Sequence, residues 1–112
     1  KDFLKRYHSR YGSDALMNTV GVGMYNAAHM AAMAIEKAGK VETGAIRDAL
    51  KGIKFNNAPQ GTVEMRALDN QAILPSYLMR VREGWTSVND MFEQVQSVAR
   101  AVPQDARCDL PL

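Results

Sequence analysis

The side chains able to do chemistry in this chain are few and poorly grouped. His8 and His29 are its two histidines, and neither has a cysteine or carboxylate at ligand spacing. A zinc site needs about four donors with characteristic separations, and none can be assembled here. The serines Ser9, Ser13, Ser76, Ser87 and Ser97 lie in no G-x-S-x-G context, so no nucleophile elbow is expected. Cys108 sits near the chain end beside Pro111, poor ground for a preorganised nucleophile, and a single cysteine has no internal partner. It is a free thiol or half of a bridge to a cysteine outside this sequence. Glu42 and Asp48 are accounted for as charges near helix ends. Gly21-Val22-Gly23 begins like a phosphate-cradling loop but lacks the strand–turn–helix frame and the later glycine. It is either a flexible helix entry or a helix start whose free N–H groups approach a small anionic group. The methionines Met17, Met24, Met30, Met33, Met65, Met79 and Met91 fall on apolar faces, where adaptable packing explains them better than metal binding. No enzyme active site, metal or cofactor is expected.

Composition narrows the classes further. A chain of 112 residues with 46% hydrophobic and 23% charged residues is one ordinary globular unit at most. Its formal charge of +2 comes from scattered lysines and arginines interleaved with acids, which argues against a nucleic-acid face. No apolar run approaches the ~18 residues of a membrane span. The sequence starts at Lys1 without a visible signal peptide, so a processed start or a piece of a longer polypeptide is expected.

The elements that must position any site follow from periodicity. Phe3, Leu4, Tyr7 and Tyr11 recur at spacings of three and four, predicting an amphipathic helix stopped by Gly12 with its aromatic stripe inward. A connector follows, with Asn18 or Thr19 able to cap the next helix. That helix, about Gly21 to Ala38, is apolar nearly all round. Met24, Tyr25, Ala28, Ala31, Ala32 and Ile35 make one face, and Asn26, His29, Glu36 and Lys37 make a wet side. So apolar a helix expects cover on several sides. Glu42 to Leu50 reads as a short third helix capped by Thr43, and Phe55 to Gly61 as a loop. Thr62 to Arg66 alternates as a half-buried strand, with the apolar run Tyr77 to Val81 as its expected partner. Met91, Val95 and Val98 leave helix and strand open, and Val102 to Leu112 reads as an extended tail.

Four stretches in order carry a resemblance. They are F-L-K-R-Y-H-S-R-Y-G from Phe3, Y-N-A-A-H-M-A-A-M-A-I-E-K-A-G from Tyr25, A-I-R-D-A-L-K-G-I-K-F from Ala45, and P-Q-G-T-V-E-M-R-A-L-D-N-Q from Pro59. Together they resemble the type I periplasmic solute-binding proteins of ABC importers, in the branched-chain amino acid and amide branch, over that family's C-terminal third. The resemblance implies an α/β fold: the C-terminal segment of a two-lobed binding protein, helices first and strands after. Residues 1–58 would pack on one lobe, and residues 59–112 would supply strands and a tail to the other.

The implied function is extracytoplasmic, in the periplasm. A branched-chain amino acid, amide or related small organic acid would be held between the lobes and delivered to an ABC permease, without bond chemistry. The remainder of the parent polypeptide would be a partner in the fold, and no nucleic acid would be. The ligand-contacting neighbourhood implied is Asn18, Thr19, Val20 and Gly21, with Val20 where relatives often place an aromatic ring. A ligand-sensing regulator of the same fold, or a self-sufficient small α+β interaction domain, are the rival readings.

Overall fold

The computed structural model describes residues 2–98. Three helices lead: α1 (Asp2–Tyr11), α2 (Thr19–Ala38) and α3 (Thr43–Leu50). Five strands follow: β1 (Lys54–Phe55), β2 (Val63–Met65), β3 (Ala72–Ile73), β4 (Ser76–Val81) and β5 (Phe92–Val98). They form two antiparallel sheets, one ordered β1-β2-β3 and the other a β4-β5 ribbon.

Helix boundaries follow local chemistry. The Asn18 side chain accepts the Gly21 N–H at 2.8 Å, so Asn18 caps α2 and Thr19 begins it. Gly39, at φ 67°, ends α2 in the left-handed conformation. Thr43 does not cap α3. The N-cap is Glu42, and its side chain makes no capping bond. The other end of α3 is tied down by its neighbour: Lys37 of α2 donates from Nζ to the Ala49 carbonyl at 2.9 Å and the Lys51 carbonyl at 3.4 Å. A cation placed on late helical carbonyls satisfies orphan acceptors and opposes the negative helix end.

The core lies where α2, α3 and the first sheet meet. Met30, Ala34, Ala49, Ile53, Phe55, Ala58 and Val63 form one buried cluster, with Tyr25, Met33, Ile46, Leu50 and Met65 packed around it. It spans both sides of the 58–59 junction, because β1 pairs with β2 through Lys54↔Glu64 and Phe55↔Val63. The buried stripe of α2 is Asn26, Met30 and Ala34, one residue every four. Asn26, expected on the wet side, is therefore interior, while Met24, expected inward, is 67% exposed. The aromatic stripe of α1 is only half inward. Phe3 packs on Tyr25 with ring centroids 4.6 Å apart, yet no residue of α1 is fully buried and Tyr11 lies open.

The sheets correct the expected pairing. The partner of β2 is not the Tyr77 to Val81 run but β3, through Glu64↔Ile73 and Met65↔Ala72. The reason is the turn between them. The Arg66 N–H donates to the Gln71 carbonyl at 2.8 Å, the Asn70 N–H to the Arg66 carbonyl at 2.9 Å, and Asn70 takes φ 57°. Asn is among the residues that tolerate this left-handed conformation, so the chain reverses at once. Pro75 then separates β3 from β4, which pairs with β5 from Ser76↔Val98 to Val81↔Phe92, with a register shift between Leu78 and Met79. The segment left open between helix and strand is thus a strand. Its loop is closed by Asp90, whose carboxylate accepts the Thr86 and Ser87 N–H groups at 3.2 and 2.9 Å. The stretch expected as a loop from Phe55 contains the end of β1. The expected tail from Val102 lies outside the described residues.

Candidate functional site

One face of α2 and the strands opposite it enclose an open cavity of about 940 Å³. From the helix, Asn18, Thr19, Val22, Gly23, Asn26, Ala27, Met30 and Ala31 contribute, at spacings of three and four that trace one continuous stripe. Opposite stand Val63 and Met65 of β2, Ala72 of β3, Leu74, Pro75, and Ser76, Tyr77 and Met79 of β4. Met17, Leu50 and Gln60 complete the wall.

The lining is chemically simple, and among the described residues no charged side chain belongs to it. Its polar groups are hydroxyls and carboxamides: Asn18, Thr19, Asn26, Gln60, Ser76 and Tyr77. Four of them are committed or unmet in ways that matter. Asn18 is spent on its cap. Tyr77 donates its hydroxyl to the Gln60 carbonyl at 2.5 Å, joining the ribbon to the loop ahead of β2. Asn26 is 5% exposed, and its Oδ1 has no hydrogen-bond partner. The Gln60 Oε1 is likewise buried and unpartnered. A buried acceptor left unmade costs about 1–3 kcal/mol, so the protein holds these two amides at some expense.

The four residues expected to contact a ligand divide. Asn18 and Thr19 stand in the cavity wall, whereas Val20 is 73% exposed and, like Gly21, does not line the cavity. Gly21 is covered by Met17. A methyl group added there would meet the Met17 Sδ at 2.5 Å, so glycine is what lets the thioether lie across the helix start. Sequence reasoning missed Asn26 and Gln60. For Asn26 a signal exists, since residue 26 lies four positions before Met30 and eight before Ala34, on the stripe that buries. Gln60 lies in a loop, where no periodicity points to it.

Charged clusters elsewhere are structural. The Arg66 guanidinium bonds Asp69, from Nε at 2.8 Å and again from Nη2, and also reaches the Gln71 Oε1 at 2.6 Å. The Arg66 hydrogen bond to Asp69, with one from the Gln71 N–H, holds the Asp69 carboxyl below its ordinary value of 3.8. Hydrogen bonds from the Ser87 backbone N–H and from Thr86 lower Asp90 in the same way. His29 lies flat on Phe55, with centroids 4.9 Å apart and planes at 15°, beside Tyr25.

A family model described as periplasmic binding protein matches residues 1–86. That is most of the chain, and it contains every residue lining the cavity. The chain belongs to the periplasmic binding protein family. Its mixture of leading helices and later strands is an α/β piece of that family's fold. No curated protein sequence matches the chain. The family implies small-molecule binding, and an open, mostly apolar concavity with a few convergent polar groups is a common physical form of small-molecule sites.

Proposed function

We propose that this chain is the C-terminal portion of the solute-binding component of an ABC importer, working in the periplasm. Its ligand is a branched-chain amino acid, an amide or a related small organic acid. Residues 1–58 serve one lobe and residues 59–112 the other. The ligand is held by the α2 entry, Asn18, Thr19, Val20 and Gly21, together with groups from the remainder of the parent polypeptide. Lobe closure on the solute, by hinge bending, is the whole mechanism, and no bond is made or broken. The permease of the importer receives the closed form.

One observation carries the reading: the family match embraces both walls of an apolar concavity that begins at a helix N-terminus. The match supports solute binding, and the mostly aliphatic wall supports a solute with an apolar body. The test is a thermal-shift screen of amino acids, amides and small organic acids on the full-length parent protein. A ligand at a hundredfold excess over its Kd adds about 2.7 kcal/mol to stability, which a melt resolves easily. Failure of every solute in these classes to raise the Tm would remove the proposal.

A further inference from the structure

We infer that the cavity between α2 and the strands is an oxidation-sensitive site. Peroxide converts Met17 and Met79 in its wall to sulfoxides, and the cavity so modified no longer holds an apolar body. Regulation of this kind rests on the solute-binding reading above and acts on the same site.

Thioethers are concentrated there. The chain has seven methionines, and four of them, Met17, Met30, Met65 and Met79, line this one cavity. They come from the approach to α2, from α2 itself, from β2 and from β4, so no single helix or strand period groups them. Their access differs. Met79 is 45% exposed, Met17 and Met65 are half-buried, and Met30 is 3% exposed. Met24, at 67%, is the most open of those at helix or strand positions and does not line the cavity. A thioether is oxidised only where the oxidant reaches its sulfur, so Met79 and Met17 are the cavity sulfurs that an entering peroxide meets.

The step balances with peroxide as the co-reactant. The sulfur lone pair attacks one peroxide oxygen, an S–O bond forms and the O–O bond breaks. The departing hydroxide takes the proton of the transferred oxygen and leaves as water. Sulfur loses two electrons and peroxide gains them. A flexible apolar side chain has then become polar and chiral. Among the described residues no charged side chain in the wall can meet the new S=O dipole, so an apolar solute would have to strip its water. At Met17 there is also a steric consequence. Its Sδ already lies against the start of α2, where a methyl added to Gly21 would come within 2.5 Å of it. An oxygen on that sulfur finds no space on the helix side, and the thioether has to leave its place beside Asn18 and Thr19.

The test uses the full-length parent protein and N-phenyl-1-naphthylamine, an uncharged apolar fluorophore matched to the charge-free wall. Hydrogen peroxide is applied at neutral pH, and the oxygen gained by each methionine is followed by peptide mass spectrometry. Met24 and Met79 are expected to oxidise first, Met17 next and Met30 last. Saturating fluorophore should slow Met17 and Met79 severalfold and leave Met24 unchanged. Oxidation should weaken fluorophore binding by about tenfold, and methionine sulfoxide reductases with dithiothreitol should restore it. A Met17→Leu, Met79→Leu double variant should keep after peroxide the affinity it had before, whereas Met24→Leu should lose affinity as the native protein does. Should the double variant fail to fold, the protection pattern in the native protein decides. Met17 and Met79 left unprotected, affinity unchanged by their oxidation, or an equal loss in the double variant each overturns the inference. So does a fluorophore that fails to bind the unoxidised protein. In each of these cases a hit in the solute screen on unoxidised protein leaves the solute-binding reading standing, and a screen without a hit removes both.

Discussion

At the scale of single residues, the chain spends its charges on turns. Arg66, Asp69 and Gln71 lock the reversal between β2 and β3, and Asp90 gathers N–H groups to close the loop before β5. Both carboxyls titrate below their ordinary value of 3.8, so each stabilises the fold while ionised. The contribution is fully present above that value and fades as pH falls through the lower, folded value. Asp69→Asn should therefore lower the urea midpoint at neutral pH, and its deficit against the native protein should shrink as pH drops below about 3.8. A deficit that stays constant from neutral to acid would show that the turn draws nothing from the charge. Asn26 is the opposite kind of residue, an amide whose Oδ1 is buried without a hydrogen-bond partner and so carries a stability cost.

At the scale of elements, helices were the legible part. Gly12, Asn18 and Gly39 announce ends through capping chemistry that needs only near neighbours, and all three do so in the structure. Asn18→Ala should cost about 1 kcal/mol in a ligand-free urea melt, and Asn18→Gly only a few tenths. Equal losses for the two would mean the cap bond contributes little. Strand pairing was less legible because it depends on how a turn folds. The alternation of Thr62 to Arg66 marks a strand but not its partner, and Asn70 at positive φ selects the nearer one. Two-residue strands such as β1 and β3 are too short to show alternation at all. The inward face of α2 was ambiguous for another reason. With alanine and methionine on all sides, hydrophobicity gives no direction, and the polar Asn26 misleads because the stripe it shares with Met30 and Ala34 is the buried one. Of the residues named from the sequence at the helix entry, Asn18 and Thr19 line the cavity and Val20 and Gly21 do not, while Asn26 and Gln60 of its wall were not named.

At the scale of the molecule, apolar surface exceeds what these elements cover. Among the described residues no large side chain is fully buried, while Val20, Met24, Leu78, Val81, Trp85, Phe92 and Val95 stand exposed. The radius of gyration is 16.8 Å against about 13 Å for a compact domain of this length. The β4-β5 ribbon has apolar side chains exposed along both strands, and a lone two-stranded hairpin is at best marginal in water. Residues 1–112 expressed alone should therefore self-associate, with a sedimentation coefficient that climbs with concentration. The full-length parent should stay monodisperse over the same range. A well-behaved monomer from the isolated segment would favour the rival small interaction domain. The ribbon's attachment has a mechanical corollary. Its ties to the rest are narrow: the Tyr77 hydroxyl on Gln60, Pro75 against Gly61, where an added methyl would press to 3.1 Å of the ring, and Asn89 reaching Ser13 at 2.9 Å. Gln60 and Tyr77 also border the cavity, so the bond that fastens the hairpin to the loop ahead of β2 is at the same time part of the cavity wall.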